Sequence, residues 1–128
     1  MLINETRRGF WCECWTQDLT DQEQPAVLRA SFDAYSAPQA DRWVAVTLRT
    51  ISPALDSDAS DVAWAWLSQG RIATRRALLR SEPCAVTVTR DCTRITWTIR
   101  PVLFLSLAHR QDAKPLACMD RFESRPSP

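Results

Sequence analysis

The clearest pattern of apolar and polar positions lies between residues 84 and 100. Cys84, Val86 and Val88 alternate with Ala85, Thr87 and Thr89. Beyond a turn around Asp91, the apolar Ile95, Trp97 and Ile99 alternate with Arg94, Thr96, Thr98 and Arg100. Period-two alternation on either side of a short polar turn predicts a β-hairpin with one apolar face and one face of Thr and Arg. Residues 9–17, GFWCECWTQ, alternate as well: Phe10, Cys12 and Cys14 fall on one face of a strand and Trp11, Glu13 and Trp15 on the other. Both faces carry apolar groups, so either set can point outward.

Between these strands the pattern turns helical. Leu28, Phe32 and Tyr35 recur at i, i+4 and i+7, and Pro25 suits a first helical position, so a helix is predicted over residues 25–35. Thr20 and Glu23 have the spacing of a capping box, but that start would place Pro25 inside the helix. Residues 43–51, WVAVTLRTI, alternate and are rich in β-branched side chains, predicting a strand that stops before Pro53. Asp56, Asp58 and Asp61 then crowd the start of a helix with an apolar stripe of Val62, Ala63, Trp66 and Leu67. Gly70 offers a left-handed cap to that helix, with a second helix over residues 71–80 stopping before Pro83; one helix or two is left open. After Pro101, residues 102–107 read as a further strand buried on both sides, and residues 124–128 as a loose tail.

The order β-α-β-α-β-β predicts an α+β fold: a mainly antiparallel sheet of four to five strands with two or three helices packed on one face. The 128 residues suit one domain, expected over residues 1–123. At 45% hydrophobic and 24% charged residues the composition is that of an ordinary globular chain. No apolar run is long enough to span a bilayer, and residues 1–8 carry no apolar leader, so a cytoplasmic protein without a membrane partner is expected.

Candidate chemistry is sparse. With only two glycines, Gly9 and Gly70, neither G-x-G-x-x-G nor the Walker phosphate loop can be built. Five cysteines, an odd number, argue against a disulfide framework, and Cys12, Cys14, Cys84, Cys92 and Cys118 lack the paired spacing of a zinc site. His109 is the sole histidine, and no Cys–His signature surrounds it. No catalytic residue, metal or cofactor is therefore expected.

Contact surfaces are better supplied. The bases are fifteen Arg and a single Lys, Lys114, a ratio that a GC-rich codon bias also produces. Residues 1–62 carry net −5 and residues 63–128 net +6, a polarity that either steers partners or is closed within the fold. Arg71, Arg75, Arg76 and Arg80 form two i, i+4 pairs flanking a seam of Ile72 and Leu79. Six tryptophans are many for this length, and Trp64 falls off the apolar stripe of its helix; Trp11 and Trp15 are further candidates for exposure. Exposed Trp near Arg is the chemistry of interface hot spots, whereas buried Trp and solvated Arg are the commoner roles.

The expectation is a small binding protein without chemistry of its own, acting on an unidentified protein partner or by self-association. An accessory or antagonist role of a bacterial or mobile-element kind would suit it. Nucleic-acid binding through the 71–80 helix is the alternative, though a pI near 7.6 is low for that class. A pocket lined by Trp66 and Trp97, or a Cys-dependent metal role, stand behind it.

Overall fold

The computed structural model describes residues 6–21 and 23–105. The chain groups into two compact units, residues 8–103 and residues 1–7 with 104–128. Only four residues of the second unit are described, the outer ends of the first and last strands. Four antiparallel strands form one sheet in the order β2-β1-β4-β3: β1 (Thr6–Asp18), β2 (Val27–Ala34), β3 (Cys84–Arg90) and β4 (Thr93–Leu105). Helices α1 (Ala37–Ile51), α2 (Ser57–Ala65) and α3 (Arg71–Leu79) lie between β2 and β3 in sequence and pack on one face of the sheet. This is the expected α+β class, reached with two elements exchanged.

Residues 25–35 are not a helix. They hold strand β2, paired with β1 so that Ala30, Phe32 and Ala34 stand opposite Cys14, Cys12 and Phe10. The Thr20–Glu23 spacing is a loop: Asp18 accepts from the backbone N–H of Thr20 at 2.9 Å and from its hydroxyl at 2.6 Å, which holds the Asp18 carboxyl below its ordinary range.

Residues 43–51 are not a strand but the C-terminal part of α1. That helix starts at Ser36, whose Oγ accepts from the Gln39 N–H at 3.2 Å, while Gln39 Oε1 accepts from the Tyr35 N–H at 2.6 Å. The reciprocal bonds satisfy two donors at the helix entry, and Pro38 in the first turn costs no hydrogen bond. Ala37, Ala40, Asp41, Val44, Ala45 and Leu48 are buried at helical spacing. Trp43 stacks on Phe32 of β2, with centroids 5.8 Å apart and planes 6° from parallel. Burial against the sheet outweighs the strand propensity of the Val and Thr residues.

Helix α2 begins on Asp56, whose side chain accepts from the Ala59 N–H at 2.8 Å, with Asp58 in the first turn. Its stripe keeps Ala63 and Leu67 buried, whereas Val62 is exposed. The left-handed cap offered by Gly70 does not form, and the choice between one helix and two falls between them: residues 66–70 make one π turn that joins α2 to α3, and Gly70 has an ordinary helical φ of −61°. The left-handed cap lies at Ser81 instead (φ 62°), where the Ser81 and Glu82 N–H groups reach the carbonyls of Leu78 and Ala77.

Gly70 serves packing. A Cβ there would stand 2.5 Å from Cδ1 and 2.9 Å from Cγ of Trp66, whose indole N–H donates to Thr74 Oγ1 at 3.1 Å. Alanine in a helix interior ordinarily stabilises by about 1 kcal/mol over glycine. Here Gly70→Ala must displace an indole at its root, so we expect a lower unfolding midpoint. Trp66→Ala should turn the same glycine substitution stabilising, a reversal that a double-mutant denaturation series reads directly.

The hairpin is as the alternation predicts: Val86 pairs with Trp97 and Val88 with Ile95, and Asp91 takes the left-handed conformation (φ 52°) in the two-residue turn. Of the strand expected over residues 102–107, residues 106 and 107 lie outside the described residues, and the rest is not a separate buried strand. Strand β4 runs on through Pro101 to Leu105, with Leu103 exposed. Trp97 sits at the centre of the core, and its Nε1–H donates to Thr47 Oγ1 of α1 at 2.8 Å. Among the described residues no helix is long and apolar enough to cross a membrane.

Candidate functional site

Strand parity assigns two faces to the sheet. Phe10, Cys12, Cys14, Phe32, Ala34, Val86, Val88, Ile95, Trp97 and Ile99 belong to the core under the helices. The alternate residues form the opposite face, on which no described helix packs. Cross-strand partners share a face, so its rows follow from the register. Trp11 lies opposite Asp33, Glu13 opposite Ser31 and Trp15 opposite Leu28. On the other half of the sheet Thr98 is opposite Ala85, Thr96 opposite Thr87 and Arg94 opposite Thr89.

A bulge between Cys14 and Trp15 sets this arrangement. The pairing skips Arg29, whose Nε–H donates to Thr16 Oγ1 at 2.8 Å, and brings Leu28 beside Trp15. Glu13 stands between the two tryptophans and accepts from both indole N–H groups, from Trp11 at 2.7 Å and from Trp15 at 3.1 Å. An indole N–H lies in the ring plane, so each ring aims edge-on at the carboxylate and both planes run along the strand. The hydrogen bonds to a charged acceptor are of the stronger kind and fix both rings. The result is a rigid aromatic row on a middle strand, half-buried at each of its three residues.

Beside this row the surface drops. A trough of about 670 Å³ is bordered by Glu13, Trp15, Pro83 and Arg100 over the small side chains of Thr98 and Ala85. Charge is divided across it. Glu13 and Asp33 lie on β1 and β2, and Arg94 and Arg100 on β4.

The arginine helix is arranged differently from expectation. Ile72 and Leu79, the seam between the arginine pairs, are 56% and 71% exposed, and the residues of α3 that are buried are Thr74 and Leu78. Arg71 and Arg75 turn toward α1 and clamp Asp41, which is fully buried. Arg71 donates through Nε at 2.7 Å and Nη2 at 3.2 Å, and Arg75 through Nη2 at 2.7 Å and Nε at 3.2 Å. The hydrogen bond that Arg71 donates to Asp41 raises its guanidinium above its ordinary range. Arg80 pairs with Glu82 at 3.1 Å. Arg76 has no hydrogen-bond or ion-pair partner among the described residues. Part of the charge polarity of the sequence is thus closed inside the fold, an acid of the first half holding two arginines of the second.

Trp64 is 52% exposed on α2 and stands apart from the aromatic row. Trp66 and Trp97 do not share a pocket wall: Trp97 is buried in the core and Trp66 lies over Gly70. A further concavity of about 720 Å³ lies among Phe10, Pro38, Leu79, Val102 and Leu103.

The thiols do not gather. Burial pushes Cys12 up to about 12, with the Asp33 charge adding to the rise, and burial likewise raises Cys14 and Cys84. These three are protonated at neutral pH and serve as core side chains. Among the described residues no three His, Cys, Asp or Glu side chains cluster as metal ligands. His109 and Cys118 lie outside the described residues. Compared with known proteins, the chain matches no family model, no curated protein and no solved structure.

Sequence reading singled out Trp11 and Trp15 but missed Glu13 as their common acceptor, although W-x-E-x-W on one strand face is legible. It also missed Asp41, whose role depends on partners 30 and 34 residues away.

Proposed function

We propose that this chain is a non-catalytic binding protein, a cytoplasmic accessory or antagonist, whose contact surface is the sheet face bearing Trp11, Glu13 and Trp15 and whose partner is a protein. The observation that carries the reading is the double hydrogen bond to Glu13. Two tryptophans on an otherwise Thr- and Ser-rich face are held in place before any partner arrives. Binding then orders little, and pre-organised aromatic anchors are the side chains that contribute most to protein interfaces. The neighbouring trough and the divided charge supply shape and specificity around them.

Nucleic acid on α3 has less support. Of Arg71, Arg75, Arg76 and Arg80, three are engaged within the chain, and the clamp on Asp41 leaves a pair of arginines with a net charge of one. A phosphate-tracking surface needs several unengaged cations.

The test is affinity purification of the tagged full-length protein. Wild type and Trp64→Ala should retain the same protein partner, and Trp11→Ala/Trp15→Ala should lose at least about tenfold of it, the effect expected of a hot-spot pair. Circular dichroism establishes that the variants are folded. Equal retention by all three overturns the reading, and loss with Trp64→Ala alone places the interface on α2.

A further inference from the structure

The proposed contact face has a property that selects among partners: its two halves are complementary to each other. We propose that a second copy of this chain binds it, face to face, about a two-fold axis running along the strands. The inference rests on the sheet-face reading above and adds the identity of the partner.

In the order β2-β1-β4-β3 the middle strands are β1 and β4. A two-fold axis along the strands above the middle of the sheet lays β1 of one copy over β4 of the other, and β2 over β3. Every contact is then made twice. Three features of the face fit that operation.

Bulk is the first. The tall side chains, Trp11 and Trp15 with Leu28 beside them, stand on the β1–β2 half, and the small ones, Thr96, Thr98, Ala85 and Thr87, on the β4–β3 half. The row of each copy therefore enters the trough of the other. Charge is the second. The acid Glu13 belongs to β1 in the tall half and Arg94 and Arg100 to β4 in the low half, so the rotation lays the strand that carries the acid over the strand that carries the bases, twice by symmetry. Glu13 and Arg100 border one trough, and the axis keeps each residue's position along the strands, so Glu13 of each copy comes within the reach of an arginine side chain from Arg100 of the other. Packing geometry is the third, because two twisted antiparallel sheets stack face to face as an ordinary β-sandwich, about 10 Å apart.

The size of the contact sets its strength. Four strands about 4.8 Å apart, each facing its partner over roughly seven residues of about 3.4 Å rise, offer a flat area on the order of 450 Å² per copy. That is small for a specific interface, so association at micromolar concentration is expected.

Sedimentation equilibrium of the full-length chain tests this. The weight-average mass should climb from 14.6 kDa toward twice that value between micromolar and high-micromolar concentration. Arg100→Glu sets like charges across both contacts and should weaken association at least about tenfold. Glu13→Arg should do the same. Combining Arg100→Glu with Glu13→Arg exchanges the charges and should bind more tightly than either single variant, short of wild type by what the indole hydrogen bonds to Glu13 contribute; a folding defect would not give such a recovery. Arg42→Glu, on the helix layer, should leave the mass profile unchanged. A mass of 14.6 kDa at every concentration overturns the dimer. The broader sheet-face reading survives that result if Trp11→Ala/Trp15→Ala still abolishes retention of another protein. Self-association insensitive to both charge reversals overturns the face-to-face dimer, and the Trp11→Ala/Trp15→Ala retention test then decides the sheet-face reading by itself.

Discussion

Removing both arginines that hold Asp41, as Arg71→Ala/Arg75→Ala, should cost about 3–5 kcal/mol of folding stability, about twice the sum expected from the single substitutions. Asp41 is fully buried on the inner side of α1, and its two oxygens accept four hydrogen bonds, two from each guanidinium. With one arginine gone, the carboxylate keeps an opposite charge and two donors, and the cost is about 1 kcal/mol. With both gone, a charge is left in the interior with no counter-ion, the situation in which breaking a buried pair is most destabilising. The asymmetry extends to the acid. Asp41→Ala leaves two guanidiniums that already touch solvent, 23% and 46% exposed at the side chain, and should cost less than the double arginine variant. Urea denaturation of the four proteins measures the order. Additive arginine effects would mean that the clamp is a surface ion pair of little weight.

Trp97→Ala should be comparably severe, about 3–5 kcal/mol, because it empties the largest fully buried side chain of the core. Its ring faces α1, and its N–H fills the acceptor of Thr47, whose own hydroxyl lies within 3.1 Å of the Trp43 and Val44 carbonyls. Trp97→Phe keeps most of the volume and leaves Thr47 bonded to the helix, so about 1–2 kcal/mol is expected. Small domains have only about 5–15 kcal/mol in total, so the alanine variant should unfold within reach of physiological temperature while the phenylalanine variant does not. Equal midpoints for the two would remove Trp97 from the centre of the core.

How much of this was legible in the sequence depends on which side chains carry the burial. The hairpin of β3 and β4 declares itself because large aliphatic residues and Trp97 face Thr and Arg at every step. Strand β1 declares its faces but not their sense; the helices that cover Phe10, Cys12 and Cys14 decide it. The exchange of β2 and α1 has one physical cause. Both elements bury small or polar side chains, so neither stripe stands out. Along β2 only Phe32 and Ala34 are covered on the core side, Ala30 staying exposed, and the accidental spacing of Leu28, Phe32 and Tyr35 imitates a helix. Along α1 the stripe is Ala37, Ala40, Asp41, Val44, Ala45 and Leu48, three alanines and an acid among six. Without the partners of Asp41, a charged residue reads as a surface position, and Val44, Val46 and Leu48 then pass for alternation. The start Ser36-Ala37-Pro38-Gln39 carried the correct signal, being a capping box with proline in the first turn.

The site divides the same way. The aromatic row is local, three residues on one strand, and its sequence shows it. The arginines that looked available on the wheel are engaged by an acid in another helix, a contact that local periodicity does not contain.

Oxidative footprinting of the tryptophans, free and in the bound state, bears most directly on the account. Upon binding, whether to a second copy or to another protein, Trp11 and Trp15 should lose most of their reactivity while Trp64, 52% exposed on the helix layer, keeps its own. Protection of Trp64 with Trp11 and Trp15 unchanged would contradict it.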